Sequence, residues 1–214
     1  MPRREPSFFT NEIYHIFNRG VEKRKVFLTG RDYSHFLETL AYYLNPITKL
    51  SRRPKKGKGN LQNPDGRLVD VLCYCLMPNH FHLLLRQRAE LGISTYMRRA
   101  LNSFARYFNT KNDRVGPLFQ GAFKAVRVES DEQLLHVSRY IHLNPLVDGL
   151  IERLEDNLWS SYREYVGYQS HSALPLDVEF VLSHFSSKET YKNFVLDQVD
   201  YAKTLADIKH HDLG

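Results

Sequence analysis

Two histidines separated by one residue form the first group in the sequence that could do chemistry. His80 and His82 flank Phe81 in a run of apolar residues typical of a β-strand. Side chains alternate between the faces of a strand, so both imidazoles project to the same face. Two adjacent imidazoles can bind a divalent metal ion and leave coordination positions open for a substrate. Two hydrogen-bonded structural histidines would show the same spacing, so the motif alone leaves both interpretations open.

A tyrosine and an asparagine form the second group, in a segment of helical periodicity. Tyr140 and Asn144 are four residues apart and share one helix face, with His136 one turn earlier on that face. A free phenol has a pKa of about 10, so a tyrosine nucleophile needs activation, and a neighbouring metal site would provide it. The alternative is an ordinary helix end, because Asn-Pro commonly ends a helix and the chain contains 13 tyrosines.

The apolar pattern predicts the elements that must position these groups. Strands are predicted over 12–18, 69–77, 80–86 and 119–128, and helices over 33–44, 92–110 and 131–143. The order β-α-β-β-α-β-α begins as the ferredoxin-like (RRM-like) arrangement. The expected fold class is therefore α+β, with a four-stranded antiparallel sheet and a second sheet face free for a ligand or a further layer.

The chain divides into a sheet domain and a helical extension. We assign residues 1–150 to the sheet domain and residues 151–214 to a C-terminal extension with helical patterns. Within the first domain, residues 46–67 crowd lysine, arginine, proline and glycine together. This composition predicts a basic loop insertion that either contacts a nucleic acid or remains solvated.

Basic residues are concentrated in the middle of the chain. Lys and Arg number 30 against 24 Asp and Glu, which gives a formal charge of +6 and a pI of about 9.2. Between residues 71 and 128 the only carboxylates are Glu90 and Asp113. This balance is compatible with a nucleic-acid partner or with a solvated basic face. Phe119 and Phe123 could stack on unpaired bases or pack in the core. The candidates for DNA backbone contacts are Arg98, Arg99, Arg106, Lys124 and Arg127.

Composition also excludes several classes of protein. A hydrophobic fraction of 42% excludes wholesale disorder, and no apolar run is long enough to span a membrane. Cys73 and Cys75 share a strand face and are poorly placed for a disulfide, so we expect reduced core thiols. No secretory leader is visible, and we expect a cytoplasmic protein.

Taken together, the two motifs resemble a known family. Met77-Pro-Asn-His-Phe-His-Leu-Leu-Leu85, followed by Arg139-Tyr-Ile-His-Leu-Asn-Pro-Leu146, resembles the single-tyrosine HUH transposases. Gly116-Pro-Leu-Phe-Gln-Gly-Ala-Phe and Asp156-Asn-Leu-Trp-Ser-Ser-Tyr162 are most similar to the subgroup called REP-associated tyrosine transposases. The resemblance covers about residues 8–166.

The resemblance implies a role for each matching residue. His80 and His82 would bind the metal, Asn144 would be the third protein ligand, and Tyr140 would be the nucleophile. The implied substrate is single-stranded DNA, often with an adjacent hairpin, which is cleaved and rejoined through a 5′-phosphotyrosine. The implied metal is Mg²⁺ or Mn²⁺; paired imidazoles favour Mn²⁺, because Mg²⁺ prefers oxygen ligands.

Two rival functions remain at this point. A domesticated protein that binds single-stranded nucleic acid without catalysis would keep the fold and leave the four motif residues idle. A hydrolytic metalloenzyme is the weaker rival, because two-metal nucleases need several carboxylates and the central region has almost none. The sequence does not decide between a monomer and a homodimer, nor whether Tyr140 serves its own subunit.

Overall fold

The computed structural model describes residues 7–45, 66–169 and 171–199. The four strands are β1 (Ile13–Arg19), β2 (Val69–Met77), β3 (His80–Gln87) and β4 (Lys124–Val128). The helices are α1 (Gly30–Tyr43), α2 (Gly92–Lys111), α3 (Asp131–Val147), α4 (Tyr162–Tyr165), α5 (Glu179–Leu182) and α6 (Lys188–Leu196), with short 3-10 turns at Val21–Lys23 and Leu154–Asp156.

The strands form one antiparallel sheet in the order β2-β3-β1-β4. This order, with two helices following β1 and β3, is the ferredoxin-like arrangement, so the predicted fold class is confirmed. The β2 strand is buried along its whole length, which explains why its sequence is almost entirely apolar.

The two faces of the sheet carry different layers, because side chains alternate along each strand. On one face, Tyr14 and Ile16 of β1 pack with Phe36 of α1 and Phe104 of α2 in one core cluster. We call this the α1/α2 face. The opposite face, here the α3 face, packs residues of β2 and β3 against Ile141 of α3.

The C-terminal extension covers the outer edge of β2. The backbone N–H of Leu76 donates to the Trp159 carbonyl at 2.9 Å, and the Ser161 N–H donates to the Tyr74 carbonyl at 3.0 Å. An exposed strand edge would otherwise present unpaired backbone groups. The extension therefore completes the sheet domain as well as adding short helices to it.

Two predicted elements of the sheet domain differ from the structure by four or more residues at one end. The strand predicted over 119–128 begins only at Lys124, because the chain turns at Gly121, where φ is 74°, before it joins β1. The helix predicted to end before Pro145 continues to Val147. Pro145 lies in the last turn, where its missing N–H costs a single hydrogen bond and does not break the helix.

The remaining boundaries concern the loop and the extension. The predicted basic loop falls mainly on residues 46–65, outside the described residues. In the described part of the C-terminal extension, α4 and α5 are single turns and α6 ends at Leu196. Cys73 and Cys75 are buried free thiols, as predicted. Among the described residues, no helix is both long and apolar enough to cross a bilayer.

Candidate active site

His80 and His82 lie on the α3 face of the sheet, as strand alternation predicts. Their ring centroids are 5.0 Å apart. The Asn79 side chain fixes the first ring: its Nδ2 donates to the Lys23 carbonyl at 3.2 Å, so its Oδ1 faces His80 Nδ1 at 2.6 Å. Because Oδ1 only accepts, His80 Nδ1 carries the proton and the Nε2 lone pair is the one left for a metal.

The second imidazole is fixed by a residue that the sequence analysis did not single out. His15 Nε2 lies 2.9 Å from His82 Nδ1, across the β1–β3 pair, and the two rings stack at 5.1 Å. His82 is thereby held by its Nδ1, and Nε2 is again the nitrogen left for a metal. The only sequence signal for His15 is its place in the alternation of β1, where it shares a face with Phe17 and Arg19.

Burial keeps these three imidazoles neutral. It lowers the pKa of His15 and of His80 to about 4, with Arg19 adding a repulsive charge near His80. Burial, then the neighbouring His15 and His80, lower the pKa of His82 well below its usual value. A metal ligand must be the neutral imidazole, so the site is in a ligating state at neutral pH.

The phenol of Tyr140 lies beside this imidazole group. Its ring meets His82 edge-on at 5.5 Å and His15 at 5.9 Å between centroids. The side chain is 52% exposed and therefore accessible to a substrate. Burial of its other half raises the pKa of Tyr140 above 10, and a hydrogen bond from Asn144 opposes that rise. The free phenol is therefore protonated at neutral pH and needs help to act as a nucleophile.

Helix α3 positions Tyr140 through its N-terminal cap and its buried apolar side chains. The Ser130 hydroxyl caps the helix by accepting from the Gln133 N–H at 3.1 Å. Leu134 and Ile141 are buried against the sheet and the extension. A helix anchored in this way holds Tyr140 beside the imidazoles.

A buried imidazole ties α3 to the C-terminal extension. His142 Nε2 lies 2.8 Å from Ser161 Oγ, and His142 Nδ1 lies 2.7 Å from the Tyr191 hydroxyl. Ser161 Oγ also donates to the Tyr74 carbonyl in β2, and the Tyr191 hydroxyl also donates to Ser138 Oγ at 3.3 Å. Burial lowers the pKa of His142 to about 3, which keeps the ring neutral in this network. The sheet, α3 and the extension thus meet at His142.

Asn144 is buried next to Tyr140, and its Nδ2 donates to the Tyr140 carbonyl at 2.9 Å. The amide nitrogen is therefore used inside the helix, and Oδ1 is the atom that chemistry would offer to a metal. Among the described residues, no cluster of three or more His, Cys, Asp or Glu side chains could hold a metal. The donor set that the family resemblance implies, two imidazole nitrogens and an amide oxygen, would suit a divalent cation such as Mn²⁺ with open positions.

The candidate DNA-contact residues fall in different places. Lys124 is opposite Phe17 on β4, on the same face as His82, and is exposed. Arg127 projects to the other face and pairs with Glu12 at 3.1 Å. The three α2 arginines lie on the helix that packs against the α1/α2 face, away from Tyr140. These are Arg98, Arg99 and Arg106.

The two candidate stacking aromatics are core residues. Phe119 and Phe123 are each 6% exposed and belong to the core on the α1/α2 face, so core packing is the correct interpretation of both. An aromatic side chain that does lie at the site is Phe17, whose ring is tilted against His15 at 5.0 Å and stacked on His82 at 5.9 Å between centroids.

The class of protein is indicated by a family comparison. The family described as "Transposase IS200 like" matches residues 64–144, the range that contains His80, His82, Tyr140 and Asn144. The resemblance to single-tyrosine transposases is therefore confirmed over this central part of the chain. No curated protein sequence matches it.

A solved structure with a similar fold gives a more specific comparison. The fold is similar to that of a REP-associated tyrosine transposase bound to a REP hairpin, with a TM-score of 0.55 and 14% sequence identity. The match covers 83% of this chain and 93% of the other. At this identity the match establishes the shared fold, and it extends past the sheet domain into the C-terminal extension.

Proposed function

We propose that this protein is a tyrosine transposase that cleaves and rejoins single-stranded DNA through Tyr140. The observation that carries the proposal is the half-exposed Tyr140 ring, edge-on to His82 at 5.5 Å within one chain. A structural tyrosine in this helix would be expected to bury its ring. One subunit supplies both the phenol and the imidazoles, so the proposal needs no exchange of helices between subunits.

The reaction is a transesterification at a phosphodiester. Tyr140 Oη attacks phosphorus, and the new P–Oη bond forms as the P–O3′ bond breaks. The phenol loses a proton to water and the departing 3′ oxygen takes one up, so no net proton is consumed. Attack of a 3′-OH on the phosphotyrosine reverses these steps and reseals a strand, which requires no nucleotide cofactor.

The roles of the other residues follow from their positions. His80 and His82 would hold a divalent cation, with Asn144 as a third ligand. When bound, such a cation polarises the phosphate and stabilises the departing oxygen. Asn79 and His15 fix the two imidazoles through their Nδ1 atoms. Lys124, on the same face, is placed to contact the DNA backbone.

The proposed substrate is single-stranded DNA beside a hairpin. The structurally similar transposase is bound to a REP hairpin, and this chain shares its fold. A formal charge of +6 supports binding to a polyanion.

A covalent adduct tests the proposal directly. Purified protein with Mn²⁺ is incubated with labelled hairpin oligonucleotides that carry randomised single-stranded flanks, and adducts are separated on a denaturing gel. We expect a protein–DNA adduct on the 5′ end of the cleaved strand, and sequencing of the adducts identifies the cleaved phosphate. Tyr140→Phe should abolish the adduct and leave DNA binding largely intact.

The matched control is Tyr42→Phe, which removes the hydroxyl of an exposed tyrosine on α1. This variant should form the adduct at the normal rate. An adduct that survives Tyr140→Phe contradicts the assignment of the nucleophile. Binding of the hairpin without any adduct from the unmodified protein would favour the domesticated, non-catalytic alternative.

A further inference from the structure

A cation-lined cleft of about 370 Å³ opens beside His80. Arg19, Lys23 and Lys25 line it together with the Pro78–Asn79 turn, and Asp148 and Leu150 lie on the side of α3. None of the ion pairs among the described residues involves these three cations. Even with Asp148 counted, the lining carries a positive excess that would attract phosphates.

One wall of the cleft is a tightly turned backbone segment. The segment Gly20–Arg24 turns so tightly that a Cβ on Gly20 would lie 2.3 Å from the Arg24 carbonyl oxygen. Glu22 and Lys23 adopt left-handed conformations, with φ of 55° and 58°. Such conformations persist where surrounding contacts impose them and are common at binding sites.

Hydrogen bonds join this turn to the β2–β3 hairpin. The Gly20 N–H donates to the Asn79 carbonyl at 2.8 Å, and the Val26 N–H donates to the Pro78 carbonyl at 2.8 Å. The Asn79 side chain bonds both the Lys23 carbonyl and His80 Nδ1. One side chain thus connects the cation-bearing turn to a candidate metal ligand.

The cleft and the phenol lie at opposite ends of the row of imidazoles formed by His80, His82 and His15. Arg19 pairs in register with His80 on the same face of the sheet, at the end of β3 that leads into the cleft. The Tyr140 ring contacts His82 and His15, which lie toward the other end. A strand running from Tyr140 past His80 therefore enters the cleft.

The direction of attack at phosphorus decides which segment of the DNA enters the cleft. In an in-line displacement the attacking and leaving oxygens are on opposite sides of phosphorus. Tyr140 attacks from one side, so the 3′ oxygen and the DNA attached to it depart on the side away from the phenol. We propose that the cleft binds the phosphates of the DNA segment 5′ of the cleaved bond. It would hold the released 3′-OH end for rejoining. This inference rests on the proposed function.

A charge-neutralisation experiment tests it. The adduct assay above first identifies the cleaved phosphate. DNA binding is then measured by fluorescence anisotropy with Tyr140→Phe protein, which should not cleave the DNA. Arg19→Ala and Lys25→Ala are each added to this protein and compared with it. Three oligonucleotides are compared: unmodified, with uncharged methylphosphonates at the first three phosphates on the 5′ side, or with the same replacement on the 3′ side.

Each lost cation should weaken binding to the unmodified oligonucleotide about five-fold at 0.1 M salt and reduce the slope of log K against log salt by about 0.7. This weakening of binding should disappear for the oligonucleotide with methylphosphonates on the 5′ side (5′-neutral) and persist for the one with methylphosphonates on the 3′ side (3′-neutral). The matched control Arg153→Ala, an exposed arginine of the extension, should bind all three as the parent does.

The outcomes separate the two proposals. A loss that vanishes only on the 3′-neutral oligonucleotide, or equal losses on all three, overturns the assignment of the cleft while the adduct stands. Unchanged binding by the cleft variants overturns it as well. Absence of any adduct from the unmodified protein overturns the proposed function itself.

Discussion

His15 Nε2 lies 2.9 Å from His82 Nδ1, so a histidine of the first strand holds a candidate metal ligand of the third. Outer ligands of this kind fix the tautomer and orientation of an imidazole, and their loss typically lowers metal affinity 10–100-fold. The contact assigns His15 a positioning role rather than a direct one.

Replacing His15 should therefore change the metal requirement of cleavage. His15→Phe keeps an aromatic ring but removes the hydrogen bond, and we expect the Mn²⁺ concentration for half-maximal adduct formation to rise about 10–100-fold. His15→Gln, which retains a polar side chain, should need a Mn²⁺ concentration between that of the parent and that of His15→Phe. The control His171→Ala alters an exposed histidine of the extension. An unchanged metal requirement in His15→Phe would exclude the positioning role.

Removing either candidate ligand should have a different signature. His80→Ala and His82→Ala should lose cleavage, because a single imidazole is a poor site, while hairpin binding should be largely retained. Excess Mn²⁺ should rescue poorly, in contrast to His15→Phe. The measurements are adduct yield across a metal titration and a binding curve for each variant. Full cleavage by either variant at ordinary metal concentration contradicts the metal-site assignment.

The buried His142 network should contribute strongly to stability. Ser161→Ala removes the partner of His142 Nε2 and leaves a buried ring nitrogen unsatisfied, which costs about 1–3 kcal/mol. Tyr191→Phe removes the partner of Nδ1 and should cost a similar amount. Urea denaturation gives the free energy of unfolding. Ser183→Ala, an exposed serine on the extension, should change it by less than about 0.5 kcal/mol. Equal stability of all three variants would show that the network does not hold α3.

The Asp32 carboxylate should make the contact between α1 and α2 sensitive to acid. Burial alone would raise the pKa of Asp32, but hydrogen bonds from Lys111, from the backbone N–H groups of Leu28 and Thr29 and from Tyr107 outweigh it. The pKa therefore lies below its ordinary value of 3.8. The ionised carboxylate is favoured in the folded chain, so its contribution is fully present above pH 3.8 and is lost as the pH falls through the folded pKa.

Unfolding free energies at pH 6 down to about pH 3 check this sign. Asp32→Asn should destabilise the chain near neutral pH and flatten the fall in stability at the acid end. Glu38→Gln, on the exposed side of the same helix, should leave the pH profile unchanged. A profile for Asp32→Asn as steep as that of the parent would show that other carboxylates dominate acid unfolding.

The sheet and the core of the site were predictable from local periodicity. The two-residue period of a strand places His80 and His82 on one face, and the helical period places Tyr140 and Asn144 together. Both rules act within a single element, so a sequence carries them completely. The order of elements then fixed the ferredoxin-like topology, because few arrangements connect such elements with short loops.

The parts that the sequence did not reveal depend on relations between elements. His15 meets His82 only because of the register between β1 and β3, which the pattern of either strand leaves open. Likewise, the arginines of α2 are candidates for DNA contacts by residue type, but periodicity does not say which face of the sheet the helix covers. Phe119 and Phe123 are buried for a similar reason, since the loop before β4 folds back onto the core.

The junction at His142 also bears on when the chain becomes active during synthesis. A ribosome-bound chain that ends near Pro145 already contains both motifs, yet Ser161 and Tyr191, the partners of His142, have not been translated. We therefore expect the phenol to reach its place only after about fifty further residues have left the exit tunnel. Translation order itself would then delay strand cutting until the part of the extension that contains Tyr191 has emerged.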